Sequence, residues 1–286
     1  MHNLQTEPVS KSPAAAPPWA LDQLPPFPVV ATRLVAMLAN EEVDTIEVGR
    51  LIAAEPVFAT RVLQMANSPL FALERQVKTI SHAIVLLGLD RVKAITVTRA
   101  LEDYVSPVMS THALRACWQN SLAIAFLSEK LARSAKMDSD FAYVAGLLAD
   151  IGRLALLVKY PGPYANLLAV SAEEEFDLIM MEHELFDIDH CEAGAWLTRK
   201  MLFPLELSEV VASHHASLEN REFRMVHLVQ AADLLAEALG FGILPPVQPP
   251  SVKRVLDHVP EVCRARLENE AEQWQQEIAA RVQARY

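Results

Sequence analysis

Val144-Ala145-Gly146-Leu147-Leu148-Ala149-Asp150-Ile151-Gly152-Arg153 sets one acid and one base inside an otherwise apolar run. Through and beyond it, Val144, Leu147, Leu148, Ile151, Leu154, Ala155 and Val158 recur at three- and four-residue steps. That spacing predicts a single helix with one apolar stripe, the most buried helix of the chain. Each residue turns ~100°, which puts Asp150 at the edge of the stripe. Met137-Asp138-Ser139-Asp140 supplies polar caps upstream, and Tyr160-Pro161-Gly162-Pro163 supplies a stop. A carboxylate beside a core stripe is costly unless something pairs with it, so the fold must bring Asp150 a partner.

The chain around this helix is 286 residues long, 52% hydrophobic, and holds only 8 glycines. Such a length allows one large domain or two smaller ones, and the scarcity of glycine suits helices. No uncharged apolar run reaches ~18 residues, so no membrane span is expected. Met1-His2-Asn3-Leu4-Gln5-Thr6-Glu7 lacks the basic start and apolar stretch of a signal peptide. Cys117, Cys191 and Cys263 are scattered without paired spacing, as reduced thiols of a cytoplasmic protein would be. A formal charge of −11 argues against general nucleic-acid binding, which needs clustered cations. Nine acids and no Lys or Arg lie between Ala172 and Glu192; the simplest expectation for such a run is a solvated connection.

Read in order, residues 1–22 are Pro-, Ala- and Ser-rich and are expected to form a disordered lead. A helix through Val29, Leu34, Met37 and Leu38 follows. Asp44 with Glu47 resembles a capping box for a second helix, and Pro56 fits the first turn of a third. That third helix ends at Asn67-Ser68-Pro69, whose side chains suit a helix stop better than a ligand site. A short helix closes at Gly88, and Asp90 is expected to cap the next one. Further helices are expected through Trp118–Leu131, Tyr164–Ser171, Leu207–His215 and Met225–Leu239. Pro245-Pro246 and Pro249-Pro250 then make a stiff linker to two closing helices.

Gly146-Leu147-Leu148-Ala149-Asp150-Ile151-Gly152 resembles the Gly-Leu-Leu-His-Asp-Ile-Gly signature of the HD superfamily, with Ala149 where the histidine should stand. Ala54-Glu55-Pro56 through Asn67-Ser68 is similar to the Asp-Pro, helix, Asn-Ser pattern of the HDOD branch, with Glu55 in place of the usual Asp. Ile80 to Gly88 matches the helix-and-glycine motif that follows it, so Pro56, Asn67, Ser68 and Gly88 carry the N-terminal part of the resemblance. The resemblance implies an all-α fold of two packed helical subdomains, the second a degenerate HD-like bundle. The expected divisions are a lead at 1–22, subdomains at 23–111 and 112–244, and the linker with closing helices at 245–286.

HD hydrolases hold a divalent ion with one histidine, a His-Asp pair and a distant aspartate. Those four positions fall here on Asn120, Ala149, Asp150 and Asp233. Two of the four residues cannot serve as ordinary ligands, because a neutral amide binds weakly and a methyl group does not bind. A residual polar cluster of His190, His214 and His215 remains beside them. Asp150, His190, His214 and Asp233 are weak candidates for a metal, and none is expected, nor any other cofactor; hydrogen bonding among buried Asp and His is the simpler expectation. The function implied by the resemblance is a non-catalytic signalling module that binds a protein partner. The alternatives are a metal-dependent phosphohydrolase and a nucleotide sensor using the former catalytic cleft.

Overall fold

A computed structural model describes residues 19–21, 24, 26–37, 44–68, 76–108, 112–174, 176–216, 222–244, 251–252, 255 and 259–283. Helices make up the regular structure, and no strand occurs among the described residues. The first group comprises α1 (Val29–Ala36), α2 (Thr45–Ala53), α3 (Pro56–Ala66), α4 (Ile80–Leu87) and α5 (Leu89–Val105). The second comprises α6 (His112–Ala135), α7 (Ser139–Leu148), α8 (Ile151–Lys159), α9 (Pro161–Glu174), α10 (Leu178–Phe186), α11 (His190–Lys200), α12 (Leu205–Ser213) and α13 (Met225–Ala238). α14 (Glu261–Gln283) closes the chain. In the first group α1, α3 and α4 pack on α5, and α5 in turn packs on α7, which joins the two groups. α6 is sandwiched by α7, α13 and α14. Trp274, Ile278 and Val282 of α14 are buried against this core. The expected linker at 245–250 and residues 1–18 of the expected lead lie outside the described residues, as do Leu38 and Pro69.

The expected single central helix is in fact two. α7 ends at Leu148, Ala149 and Asp150 form a turn, and α8 begins at Ile151 with Asp150 at φ −93 ψ 21. Just past the break, α8 approaches α11 backbone to backbone. A Cβ on Gly152 would lie 2.0 Å from the His190 carbonyl oxygen and 2.4 Å from the Gly194 nitrogen. Only glycines permit this crossing, and it sets His190 over Asp150. Ser139–Lys159 is also long and apolar enough to cross a membrane by composition, yet 94% of its most apolar window is buried inside the fold.

Two further expectations are corrected. Trp19, Ala20 and Leu21 do not belong to a disordered lead: Ala20 and Leu21 are buried, and the Trp19 ring meets Tyr160 edge-on at 5.3 Å. Aromatic contact and a Tyr160 hydroxyl donating to the Ala20 carbonyl at 3.3 Å hold them. Asp90 is not the cap of α5: that place belongs to Gly88 at φ 88, and Asp90 sits in the first turn and pairs with Lys93 at 2.9 Å. A glycine is favoured there because the left-handed backbone disfavours a side chain. Asp138 does cap α7, accepting from the N–H groups of Asp140 and Phe141.

Candidate functional site

The partners that Asp150 required come from two other elements and from its own helix. Arg153, one turn on in α8, places Nη1 3.2 Å from the Asp150 carboxylate. His190 at the start of α11 and His214 just after α12 each bring Nε2 to 3.4 Å from Asp150 Oδ1. Both imidazoles are anchored on the far side. His190 Nδ1 is 2.6 Å from Glu182 Oε2 on α10, and His214 Nδ1 is 3.1 Å from the Val211 carbonyl. A carbonyl and an ionised carboxylate only accept, so each Nδ1 carries a proton and donates it. Glu182 also accepts from the His190 backbone N–H at 2.8 Å and from the Tyr164 hydroxyl. Cys191 Sγ lies 3.5 Å from His190 Nε2 and 3.9 Å from His214 Nδ1.

Charge is unusually dense for a protein interior. Asp150, Arg153, Glu182, His190 and His214 are all buried. Burial alone would raise the Asp150 pKa, but Arg153, a hydrogen bond from His214 and the nearby imidazoles outweigh it and hold the carboxyl well below the usual range. Burial and Arg153 pull His190 down, yet Glu182 and the Cys191 contact prevail and raise it to about 9. His214 is likewise raised, its burial overcome by the bond to Asp150. His215 moves the other way, lowered to about 2 by burial and by the positive rings of His214 and His190. Asp233 is raised to about 6 by burial and by the negative Asp150. Despite this network, Asp150 Oδ1, Arg153 Nε and His214 Nε2 are buried without a well-aligned hydrogen-bond partner.

The structure thus sorts the residues singled out in the sequence. Asp150, His190 and His214 converge, with His215 at their side; its ring centroid is 4.2 Å from that of His214 and 5.0 Å from that of His190. Asp233 stands further out, its carboxylate 3.7 Å from His215 Nδ1. Asn120 faces elsewhere: its amide donates to the Phe241 carbonyl at 2.9 Å. Ala149 is a buried methyl in the α7–α8 turn. In the first group Pro56 opens α3. Asn67 bonds both backbone groups of Val77, at 2.7 and 2.8 Å, and Ser68 donates to the Met65 carbonyl at 2.7 Å. Arg153 and Glu182 were missed. Glu182 corrects the expectation of a wholly solvated acidic run, for it is 0% exposed while Glu173, Glu174 and Glu184 are exposed. Its signal was available: it lies four residues after Leu178 and four before Phe186, on the apolar face of α10. Arg153 likewise lies three residues after Asp150, within reach of the same face.

The sequence profile of the HDOD domain matches residues 24–217. The chain belongs to the HDOD family. An HDOD domain protein with unknown function from Geobacter sulfurreducens is 23% identical and superposes with a TM-score of 0.71, over 91% of this chain and 94% of that one. A candidate phosphohydrolase from Shewanella amazonensis SB2B is 21% identical with a TM-score of 0.66, over 92% and 99%. A candidate signal transduction protein from Marinobacter aquaeolei VT8 is 20% identical with a TM-score of 0.68, over 92% and 60%. These likenesses show the fold. An uncharacterized protein of Treponema pallidum (strain Nichols) is 22% identical over 204 residues, and the chain spans 38% of that relative's length.

The ion site of the wider HD superfamily does not fit this HDOD chain at its usual four positions. Ala149 offers no donor atom, and the Asn120 amide is turned to Phe241. A different set does converge: Asp150, His190, His214 and His215 each offer one ligand atom, and these atoms lie within 4.8 Å of one another.

Proposed function

We propose that this HDOD chain is a non-catalytic regulatory module of bacterial signalling that acts by binding a protein partner. The observation that supports this most is the dismantled phosphohydrolase constellation: Ala149 is a methyl, and Asn120 is committed to the Phe241 carbonyl. Attack on a phosphate by metal-bound water needs a metal held with open positions facing substrate. Here the first two ligands are gone, and of the remaining two Asp150 is buried and paired with Arg153. The hydrolase reading draws on the fold shared with the Shewanella protein, and fold does not carry activity. The test is turnover of generic phosphodiesters and cyclic dinucleotides with Mn²⁺, Mg²⁺ or Fe²⁺. The expected result is a rate no higher than that of Asp150→Ala. A rate that disappears in Asp150→Ala would overturn the proposal.

A further inference from the structure

Helix α11 has two faces with different surroundings. His190 and Gly194 lie against the backbone of α8. The outer face carries Glu192, Ala195, Trp196 and Arg199, which steps of three, four and seven residues set on one side of the helix. These four line a surface hollow of about 560 Å³, together with Leu21 and Ala212 from neighbouring segments. Apolar surface continues at its edge: Trp19, 50% exposed, packs on Phe186 at 6.2 Å, beside Asp187 on the rim. Aromatic side chains left partly in water are enriched where proteins meet. Lys200 Nζ stands 4.4 Å over the Trp196 ring and holds it by cation–π attraction.

Charge along this face is ordered. Asp187 and Glu192 stand at the start of α11, while Arg199 and Lys200 occupy its last turn. Glu192 and Arg199 are separated by roughly 10 Å of helix rise. Such an order suits the helix dipole by itself. It also makes the face complementary to itself, because a copy laid antiparallel meets each charge with its opposite. With Glu192 set against Arg199 of a second copy, the two-fold axis passes between Ala195 and Trp196. The same register lays each Trp196 ring over Ala195 of the other copy, the largest side chain of the face against the smallest. The dipole explains the charges and leaves this match of shape and charge unexplained. Glu192 is also open to a further contact. Its Oε2 meets the Asp189 N–H at 3.3 Å and His183 Nε2 at 3.1 Å, and 54% of the side chain is still exposed. We propose that the outer face of α11 is the interface of a two-fold homodimer, with a second copy of the chain seated over the hollow. The contact is isologous, each copy giving Trp196 and Arg199 to Ala195 and Glu192 of the other. The inference goes beyond the regulatory reading and does not depend on it.

The test is sedimentation of the full chain over a concentration series. The wild type should dimerise at micromolar concentration. Arg199→Glu alters an exposed side chain, so the fold should stand while both ion pairs become repulsions. Its dissociation constant should rise at least ~tenfold. Glu192→Arg should do the same, with a thermal melt recorded beside it because Glu192 also closes the Asp189 capping box. Mixed in equal amounts, the two variants regain opposite charges at both ends of the contact and should form a heterodimer. A monomeric wild type would overturn the interface, as would an Arg199→Glu protein as dimeric as wild type. Two folded variants that stay monomeric when mixed would also overturn it.

Discussion

The two polar regions of this chain are built on opposite terms. Around Asn67 every polar atom of the motif is consumed locally: the amide closes on both backbone groups of Val77, and Ser68 closes on Met65. Around Asp150 the side chains come from four separate stretches, and three buried atoms still lack a well-aligned partner. The first region uses polarity to end a helix and fix a loop. The second spends stability to keep charge in the interior, and proteins retain such arrangements where the charge serves something besides folding. Family motifs mark both regions, so a motif alone does not separate a staple from a site. What separates them is whether the polar atoms close on themselves.

The sharpest way to break this comparison is to remove the centre of the second region. Asp150→Ala leaves Arg153 charged and buried without its nearest carboxylate, and chemical denaturation should show a loss of ~3–5 kcal/mol. A loss below ~1 kcal/mol would mean that Glu182 alone suffices to hold Arg153.

A somewhat smaller effect should appear in the pH dependence of stability of the metal-free protein. His190 is raised to about 9 in the folded state, against ~6.5 for a free histidine. Its contribution is therefore complete below ~6.5 and lost as pH climbs toward about 9. Asp150 has the opposite sign: its lowered pKa adds stability above ~3.9, and this is lost on further acidification. Urea midpoints should fall at both ends, and His190→Gln should flatten the alkaline limb. An unchanged alkaline limb in that variant would assign the slope to another group.

The first region should respond more mildly. Asn67→Ala strands the two backbone groups of Val77 at a cost of ~1–3 kcal/mol. It should leave partner binding as in wild type. Altered binding in a folded Asn67→Ala protein would move Asn67 from staple to site.

Much of this organisation was legible in the residues. The helices follow from three- and four-residue apolar steps, and Asp150 announced its need of a partner by its place beside a core stripe. The convergence of His190 and His214 on Asp150 came from the family resemblance; distance along the chain does not reveal it. The turn at Ala149-Asp150 was not legible, because apolar periodicity runs through it unbroken. Glu182 was hidden by its company, since eight other acids around it suggested a solvated run. The least effect should come from the exposed members of that run. Glu173→Gln with Glu174→Gln should change stability by no more than ~0.5 kcal/mol. If the run steers a basic partner, the same pair should slow association at low salt and lose that difference at high salt. Rates equal to wild type at every salt concentration would leave the exposed acids a solvated surface.

The most direct measurement adds Mn²⁺, Mg²⁺ or Fe²⁺ in steps to the purified chain and follows phosphodiester turnover beside that of Asp150→Ala. Turnover should stay at the level of Asp150→Ala at every ion concentration. Turnover that rises with the ion and vanishes in Asp150→Ala would contradict the account, for the buried charge would then be catalytic machinery.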